Sequence, residues 1–449
     1  MTLGRALREQ RALLLGLAKW SALGTIVGAM AGAASALFLL SLDVATRTRE
    51  AHPWLLFGLP LCGALVGLIY ARHGAGVVGG NNLLLDRIHE PEGAAIPFRM
   101  APLILVATVL THLFGGSAGR EGTAVQMGGT FADALCGPLR LDRADRRLLL
   151  MAGISAGFGA VFGTPLAGAV FGLEVLTIGR IRFDALVPCL VASLVGDAVC
   201  RGLGIRHHAY ETAVAFHPAP GTVLGIVVAA ALFAAASAGF TELTHRIGHL
   251  GQGWKGASWT RPALGGAAIV GLTLLVGNGD YNGLSLGLIE RSFRGDVAIY
   301  AFLLKILFTA ITLGTGFKGG EVTPLFGIGA TLGSAFALVT HGDPALFAAL
   351  GFVAVFAAAT NTPIACILMG IELFGAPIAV PAAIACVLAY VLSGHRGIYS
   401  SQRVHHPKAE VTGFREGRTL RSLADEGFAF PAPASSLWAR WRNRGTRHD

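Results

Sequence analysis

The chain carries the same pair of motifs twice, and this duplication limits what it can fold into more than any other feature. Gly119-Arg-Glu121-Gly-Thr123 returns as Gly319-Gly-Glu321-Val-Thr323, 200 positions later. Phe162-Gly-Thr-Pro165-Leu-Ala-Gly-Ala-Val-Phe-Gly-Leu-Glu174 returns as Thr360-Asn-Thr-Pro363-Ile-Ala-Cys-Ile-Leu-Met-Gly-Ile-Glu372 at an offset of 198. Near-equal spacing in two independent motifs argues for two copies of one unit. Apolar runs flank both copies, and many are short or cut by Gly or Pro, as expected of a transporter made of inverted repeats with broken helices.

Composition sets the solvent. The 449 residues are 53% hydrophobic and only 14% charged, with a mean hydropathy of +0.62. Soluble domains carry about 25% charged residues, so this is an integral membrane protein. Apolar segments fall near 20–47, 54–71, 98–114, 147–177, 185–203, 221–240, 263–276, 298–314, 322–341, 344–358 and 363–395. Several are shorter than the roughly 20 residues of a full span. The 62 glycines suit close helix packing and interrupted helices. The net charge of +9 gathers at the two ends, which places both termini in the cytoplasm and argues against nucleic acid as a partner. The first apolar stretch is too long for a cleaved signal and reads as the first span.

The expected organisation is a basic cytoplasmic N-terminus (1–19), a first transmembrane repeat (20–203), a polar connection (204–220), a second repeat (221–402) and a basic cytoplasmic tail (403–449). In the tail, an aromatic patch around Trp438 and Trp441 suits contact with the membrane surface. The six cysteines are scattered in apolar context and read as core residues. His207 and His208 sit in the connection without ligand-spaced partners, so neither a metal nor another cofactor is expected.

Glu121 is the candidate centre. A carboxylate at bilayer depth is costly and marks function by default. The surrounding glycines let backbone amides approach a ligand, and a helix starting at Gly122 or Thr123 would turn its positive end to the same point. Thr164 and Thr362 suit N-caps, with Pro165 and Pro363 at the first helical position. Two helices would then start inside the membrane with amide ends available to a central anion. Glu174 and Glu372 close these helices and read as structural, protonated or hydrogen-bonded at a subunit interface. The one enzyme pattern is Gly153-Ile-Ser155-Ala-Gly157, which fits an intramembrane serine hydrolase with His112 as partner. That motif needs a strand–turn–helix context, and small residues in an apolar run serve helix packing equally well.

Across roughly residues 20–402, Gly119-Arg-Glu-Gly122 and Gly320-Glu-Val-Thr-Pro324 in such a repeat resemble the CLC family of anion channels and proton-coupled antiporters. The resemblance implies an all-α polytopic fold with two inverted-topology repeats and broken intramembrane helices. It also implies a homodimer with one pore per subunit, and a gating glutamate, Glu121, that competes with the anion and carries protons. Departures from the chloride-type pattern narrow it. Where chloride members have GSGIP, this chain has Gly79-Gly-Asn81-Asn82; Thr123 replaces a proline; a glutamate stands inside Gly320-Glu-Val-Thr-Pro324. Glu174-Val175 lacks the second glutamate that serves many antiporters as internal proton acceptor.

An asparagine in the first motif together with GEVTP is similar to the fluoride-exporting branch. This implies exchange of fluoride for protons across a bacterial inner membrane. It links Glu321 and Thr323 to transport and makes Tyr399 the inner closure of the path. The expected anion-binding set is Asn81, Gly122, Thr123, Glu321, Val322, Thr323 and Tyr399. Fluoride is small and strongly hydrated, and amide, hydroxyl and phenol donors replace its water well. A chloride or other small-anion channel, or a chloride/proton antiporter, is the alternative.

Overall fold

A computed structural model describes residues 3–207, 210, 216–251, 253–254, 256–409, 414 and 416–425. His208, Trp438 and Trp441 lie outside the described residues. Among the described residues, eight α-helices form the first half: α1 (Leu3–Ala51), α2 (Leu59–His73), α3 (Asn81–His89), α4 (Met100–Leu113), α5 (Glu121–Cys136), α6 (Arg143–Phe162), α7 (Pro165–Glu174) and α8 (Leu186–Gly202). Eight more follow in the second: α9 (Pro220–Leu250), α10 (Thr260–Val276), α11 (Leu286–Phe293), α12 (Ala301–Gly314), α13 (Val322–Thr340), α14 (Pro344–Thr360), α15 (Pro363–Phe374) and α16 (Ala379–Leu392). Among the described residues, five helical stretches are long and apolar enough to cross a membrane, and seven more are apolar but only 10–17 residues long.

The two halves repeat each other down to their caps. In α6, the Asp142 side chain accepts from Asp145 N at 2.8 Å, and the helix closes on Gly163 at φ 73°. In α14, Asp343 accepts from Ala345 N at 2.9 Å, and the helix closes on Asn361 at φ 59°. Glycine and asparagine are the residues that tolerate this left-handed conformation. The α5–α6 pair meets at Gly128 and Gly153, where a Cβ on either would strike the other's backbone. The α13–α14 pair meets in the same way at Gly329 and Gly351. Small residues let helix backbones touch in a solvent that provides no hydrophobic drive between helices. Gly329→Leu is therefore expected to prevent native packing and to cut the monodisperse yield in detergent severalfold. Gly271→Ala, a change into open space, should leave the size-exclusion profile unaltered.

The halves join about a pseudo-twofold axis. Gly119 and Gly320 form an antiparallel bridge, with N–H to O distances of 2.7 and 2.8 Å. Phe158 and Phe356, equivalent at the offset of 198, stack with ring centroids 5.9 Å apart. The short helices α7 and α15 exchange carboxylates. Glu174 accepts from Ile364 N at 3.1 Å and Ala365 N at 2.9 Å, and Glu372 accepts from Leu166 N and Ala167 N, each at 2.9 Å. The offset of 198 carries one set of bonds onto the other. Since a carboxylate in each helix's last turn caps its partner's first turn, the two run antiparallel.

This exchange corrects two expectations. The amide ends of α7 and α15 are not open to a central anion, because carboxylates hold them. Neither threonine caps its helix through its side chain. Thr164 Oγ1 is buried without a partner, while Thr362 Oγ1 pairs with Thr360 Oγ1 at 2.6 Å. A glutamate at a helix C-terminus opposes its own dipole but favours that of the antiparallel neighbour, so the pairing places each charge where it stabilises.

After α7 the chain forms β1 (Thr177–Ile178), and beyond α16 it adds β2 (Arg403–Val404), β3 (Arg418–Thr419) and α17 (Leu420–Asp425). β2 pairs parallel with β1 and antiparallel with β3. The described parts of this stretch, 403–409 and 416–425, thus fold back beside the end of α7 and fix the segment that carries Tyr399.

Candidate anion and proton site

Helix α13 begins at Val322, and Glu321 at its N-cap makes no side-chain capping bond. Its first amides need an outside acceptor. The acceptor comes from the other repeat: Glu121 Oε1 takes Val322 N at 2.6 Å, and Oε2 takes Thr323 N at 3.2 Å and Thr323 Oγ1 at 3.0 Å. Arg120 N adds a fourth bond to Oε2 at 2.9 Å. The carboxylate is 1% exposed. α5 starts at Glu121 itself, one residue earlier than expected, which directs the side chain away from its own helix and onto α13.

Two glycines make this approach possible. A Cβ on Gly320 would collide with the Glu121 carboxylate, and one on Gly122 would lie 3.1 Å from both Asn81 Nδ2 and Gly320 Cα. The arrangement is a nest of N–H and O–H donors at a helix start, filled by an internal carboxylate. An anion can use these donors only when Glu121 leaves, and protonation removes the charge that holds it there. A carboxylate held in this way can compete with an anion for the same donors and, once protonated, give way to it.

The remaining expected residues distribute around this centre. Asn81 opens α3 after Gly80 at φ 56°; it presents Nδ2 to Gly122 and has a buried Oδ1 without a partner. Asn82 accepts from Ser401 N at 2.9 Å and so anchors the Tyr399 segment. Tyr399 is buried, and its segment is tied to α14 by Ile398 N to Ala359 O at 2.9 Å. Gln402, fully buried, bonds Asn361, Thr360 and Val175 and completes the anchor. Glu321 is half-buried beside the nest. Thr123 is turned aside: its hydroxyl pairs with Thr108 at 2.7 Å. Arg120 forms no ion pair with Glu121; its guanidinium lies over the Phe162 ring at 5.6 Å.

Ser155 does not occupy a nucleophile elbow. It lies inside α6, fully buried, and donates to Ala169 O at 3.4 Å. His112 contacts Thr108 O and Ala118 O instead. His207 lies 3.5 Å from Asp197, and among the described residues no group of three potential metal ligands occurs. All six cysteines are buried.

Sequence reasoning passed over Lys305. This residue of α12 is fully buried and donates to Ser117 Oγ (2.9 Å), Ser285 Oγ (2.8 Å), Gly283 O (3.0 Å) and Tyr281 O (3.2 Å). It clamps the loop before Glu121 to the 281–285 segment with no carboxylate among its partners. A lone lysine within Ala301-Phe-Leu-Leu-Lys305-Ile-Leu-Phe was the available signal, because an intramembrane charge marks function. Lys305→Met should leave several buried acceptors unmade at roughly 1–3 kcal/mol each. A clear fall in melting temperature in detergent, together with loss of flux, would show it.

The family model described as voltage gated chloride channel matches residues 62–394. The chain belongs to the CLC family. The matched region contains Asn81, Glu121, Glu321 and Thr323, and ends before Tyr399. A protein named chloride/fluoride channel protein from Pseudomonas syringae pv. tomato is 51% identical over 406 residues, covering 89% of this chain and 90% of that one. The H(+)/Cl(-) exchange transporter ClcA of Yersinia pestis is 27% identical over 367 residues, 75% of each. Among solved structures, a CLC-type fluoride/proton antiporter superposes with a TM-score of 0.83 at 34% identity, over 86% of this chain and 98% of that one. A slow cyanobacterial Cl−/H+ antiporter, 20% identical with a TM-score of 0.71 over 91% of this chain and 97% of that one, shares the fold.

Proposed function

We propose that this CLC protein exchanges fluoride for protons and exports fluoride from the cytoplasm of a bacterium, with Glu121 as gate and proton carrier. The observation that carries the reading is the Glu121 carboxylate seated on the first amides of α13, where a transported anion would have to replace it. The fluoride/proton antiporter at 34% identity and the chloride/fluoride relative at 51% support the choice of anion. Asn81, Thr323 and the α13 amides offer a small hydrated anion strong donors, with Tyr399 closing the inner side and Glu321 handing protons toward Glu121. The α7, α8, α15 and α16 faces leave Leu166, Leu186, Ile364, Val380, Val387 and Val391 exposed; these suit a homodimer in the bilayer, with both termini cytoplasmic.

Proteoliposome efflux of fluoride and chloride, with internal pH followed in the same vesicles, tests the reading. Fluoride efflux that drives protons uphill is the expected result; equal chloride flux without proton movement would overturn it. That second outcome matches a passive anion channel, the reading favoured by the name of the 51% relative. Thr323→Ala and Asn81→Ala are each expected to lower the fluoride-to-chloride flux ratio about tenfold, the value of one good hydrogen bond to an ion. Unchanged ratios in both would remove the donor argument.

A further inference from the structure

A second polar chamber lies beyond the site. At the C-terminal end of α1, a cavity of about 620 Å³ opens between that helix, residues 204–207 and the 279–291 segment. Its wall carries Arg47, Arg49, Arg120, Arg206 and Arg291 against Asp43, Glu50 and Asp280. Arg47 is paired with Asp43 at 2.6 Å and Arg291 with Asp280 at 2.5 Å, while Glu50 stands 3.9 Å from Arg49. That leaves Arg206, which pairs with no carboxylate among the described residues, and Arg120, whose Nε is buried without a partner. Arg120 and Leu286 also line a gap of only about 10 Å³ that they share with Phe162, Tyr210, Thr323 and Phe326. On the Thr323 side of Arg120, the space that the structure leaves thus has the room of about one water.

We propose that this chamber is a docking site for a tetrahedral oxyanion, sulfate or inorganic phosphate, which blocks the halide path. Guanidinium forks present paired donors that match oxyanions in a bidentate manner. Arg206, Arg49 and Arg120 supply such donors from three separate segments around one space. The chamber is far larger than a halide needs, whereas the gap at Arg120 excludes anything larger than one. An oxyanion therefore enters, is held, and cannot pass. The docking stands on the cavity alone; the block rests on the anion-transport reading.

Equilibrium dialysis of radiolabelled sulfate against the purified full chain in neutral detergent tests the docking. Saturable binding is expected, weakened about tenfold by Arg206→Gln and unchanged by Arg143→Gln, a site paired with Glu92 elsewhere. Unsaturable binding, or equal binding by both variants and the parent, would overturn the site. In proteoliposomes, sulfate on the chamber side should slow halide flux relative to gluconate at matched ionic strength, and Arg206→Gln should relieve the inhibition. Sulfate bound without slowing flux would overturn the block. An absence of any halide flux before sulfate is added would strike the transport reading and leave the binding result intact.

Discussion

Replacing Glu121 with Gln is expected to abolish proton movement while anions continue to cross. The glutamine oxygen can still accept from Val322 N, but its amide nitrogen then faces Thr323 N, Thr323 Oγ1 and Arg120 N, all of which are bonded to Oε2 in the parent. Thr323 N and Arg120 N then face a donor and are left unsatisfied in a buried place, at about 1–3 kcal/mol each, while the Thr323 hydroxyl can turn to accept. The side chain therefore gives up the nest more readily, and the α13 amides become available to anions at every pH. A glutamine also carries no exchangeable charge, so nothing links anion exit to proton entry. Simultaneous recording of halide efflux and internal pH checks both halves. Retained uphill proton transport in Glu121→Gln would remove Glu121 from the centre of the mechanism.

The second large effect concerns assembly. Glu174→Ala removes the acceptor from Ile364 N and Ala365 N, two amides at the start of α15. Hydrogen bonds to a charged group contribute about 1.5–3 kcal/mol each, so a loss on the order of 3–5 kcal/mol is expected where Glu174 is buried at 6% exposure. Glu372→Ala breaks the symmetry-related bonds to Leu166 N and Ala167 N. Its effect should be smaller, because Glu372 is only half-buried and Leu166 is exposed. Glu174→Gln keeps one acceptor oxygen and should fall between the parent and Glu174→Ala. Melting followed by intrinsic fluorescence in detergent orders the three. Equal melting temperatures would mean that the exchanged carboxylates do not hold α7 against α15.

Much of this molecule was readable before any coordinates. Hydropathy specified a membrane protein, and the matched offsets of 200 and 198 specified two equivalent halves, because repeat spacing survives in sequence whatever the packing. Glycines on both sides of Glu121 pointed to close backbone approach, which the Gly119–Gly320 bridge realises. Pro165 and Pro363 marked helix starts to the residue, since a missing N–H and a preset φ suit that position. Glu121 stood out because a carboxylate between apolar runs has no ordinary structural reason to be there.

What sequence could not decide was who meets whom across 200 residues. The amide ends of α7 and α15, expected to face an anion, are held by Glu372 and Glu174, while the α13 end is held by Glu121 from the opposite repeat. Local spacing determines where a helix begins and how many N–H groups it leaves unpaired. It does not determine which acceptor arrives, because that depends on how two halves pack about an axis that no single segment encodes. For the same reason Thr123 met Thr108, Arg120 met Phe162 rather than Glu121, and Lys305 found four neutral acceptors drawn from two distant loops. Residue type and period determined the membrane class, the repeats and the candidate carboxylate; tertiary packing alone assigned each unpaired donor its acceptor, since that assignment is a long-range property of the folded chain.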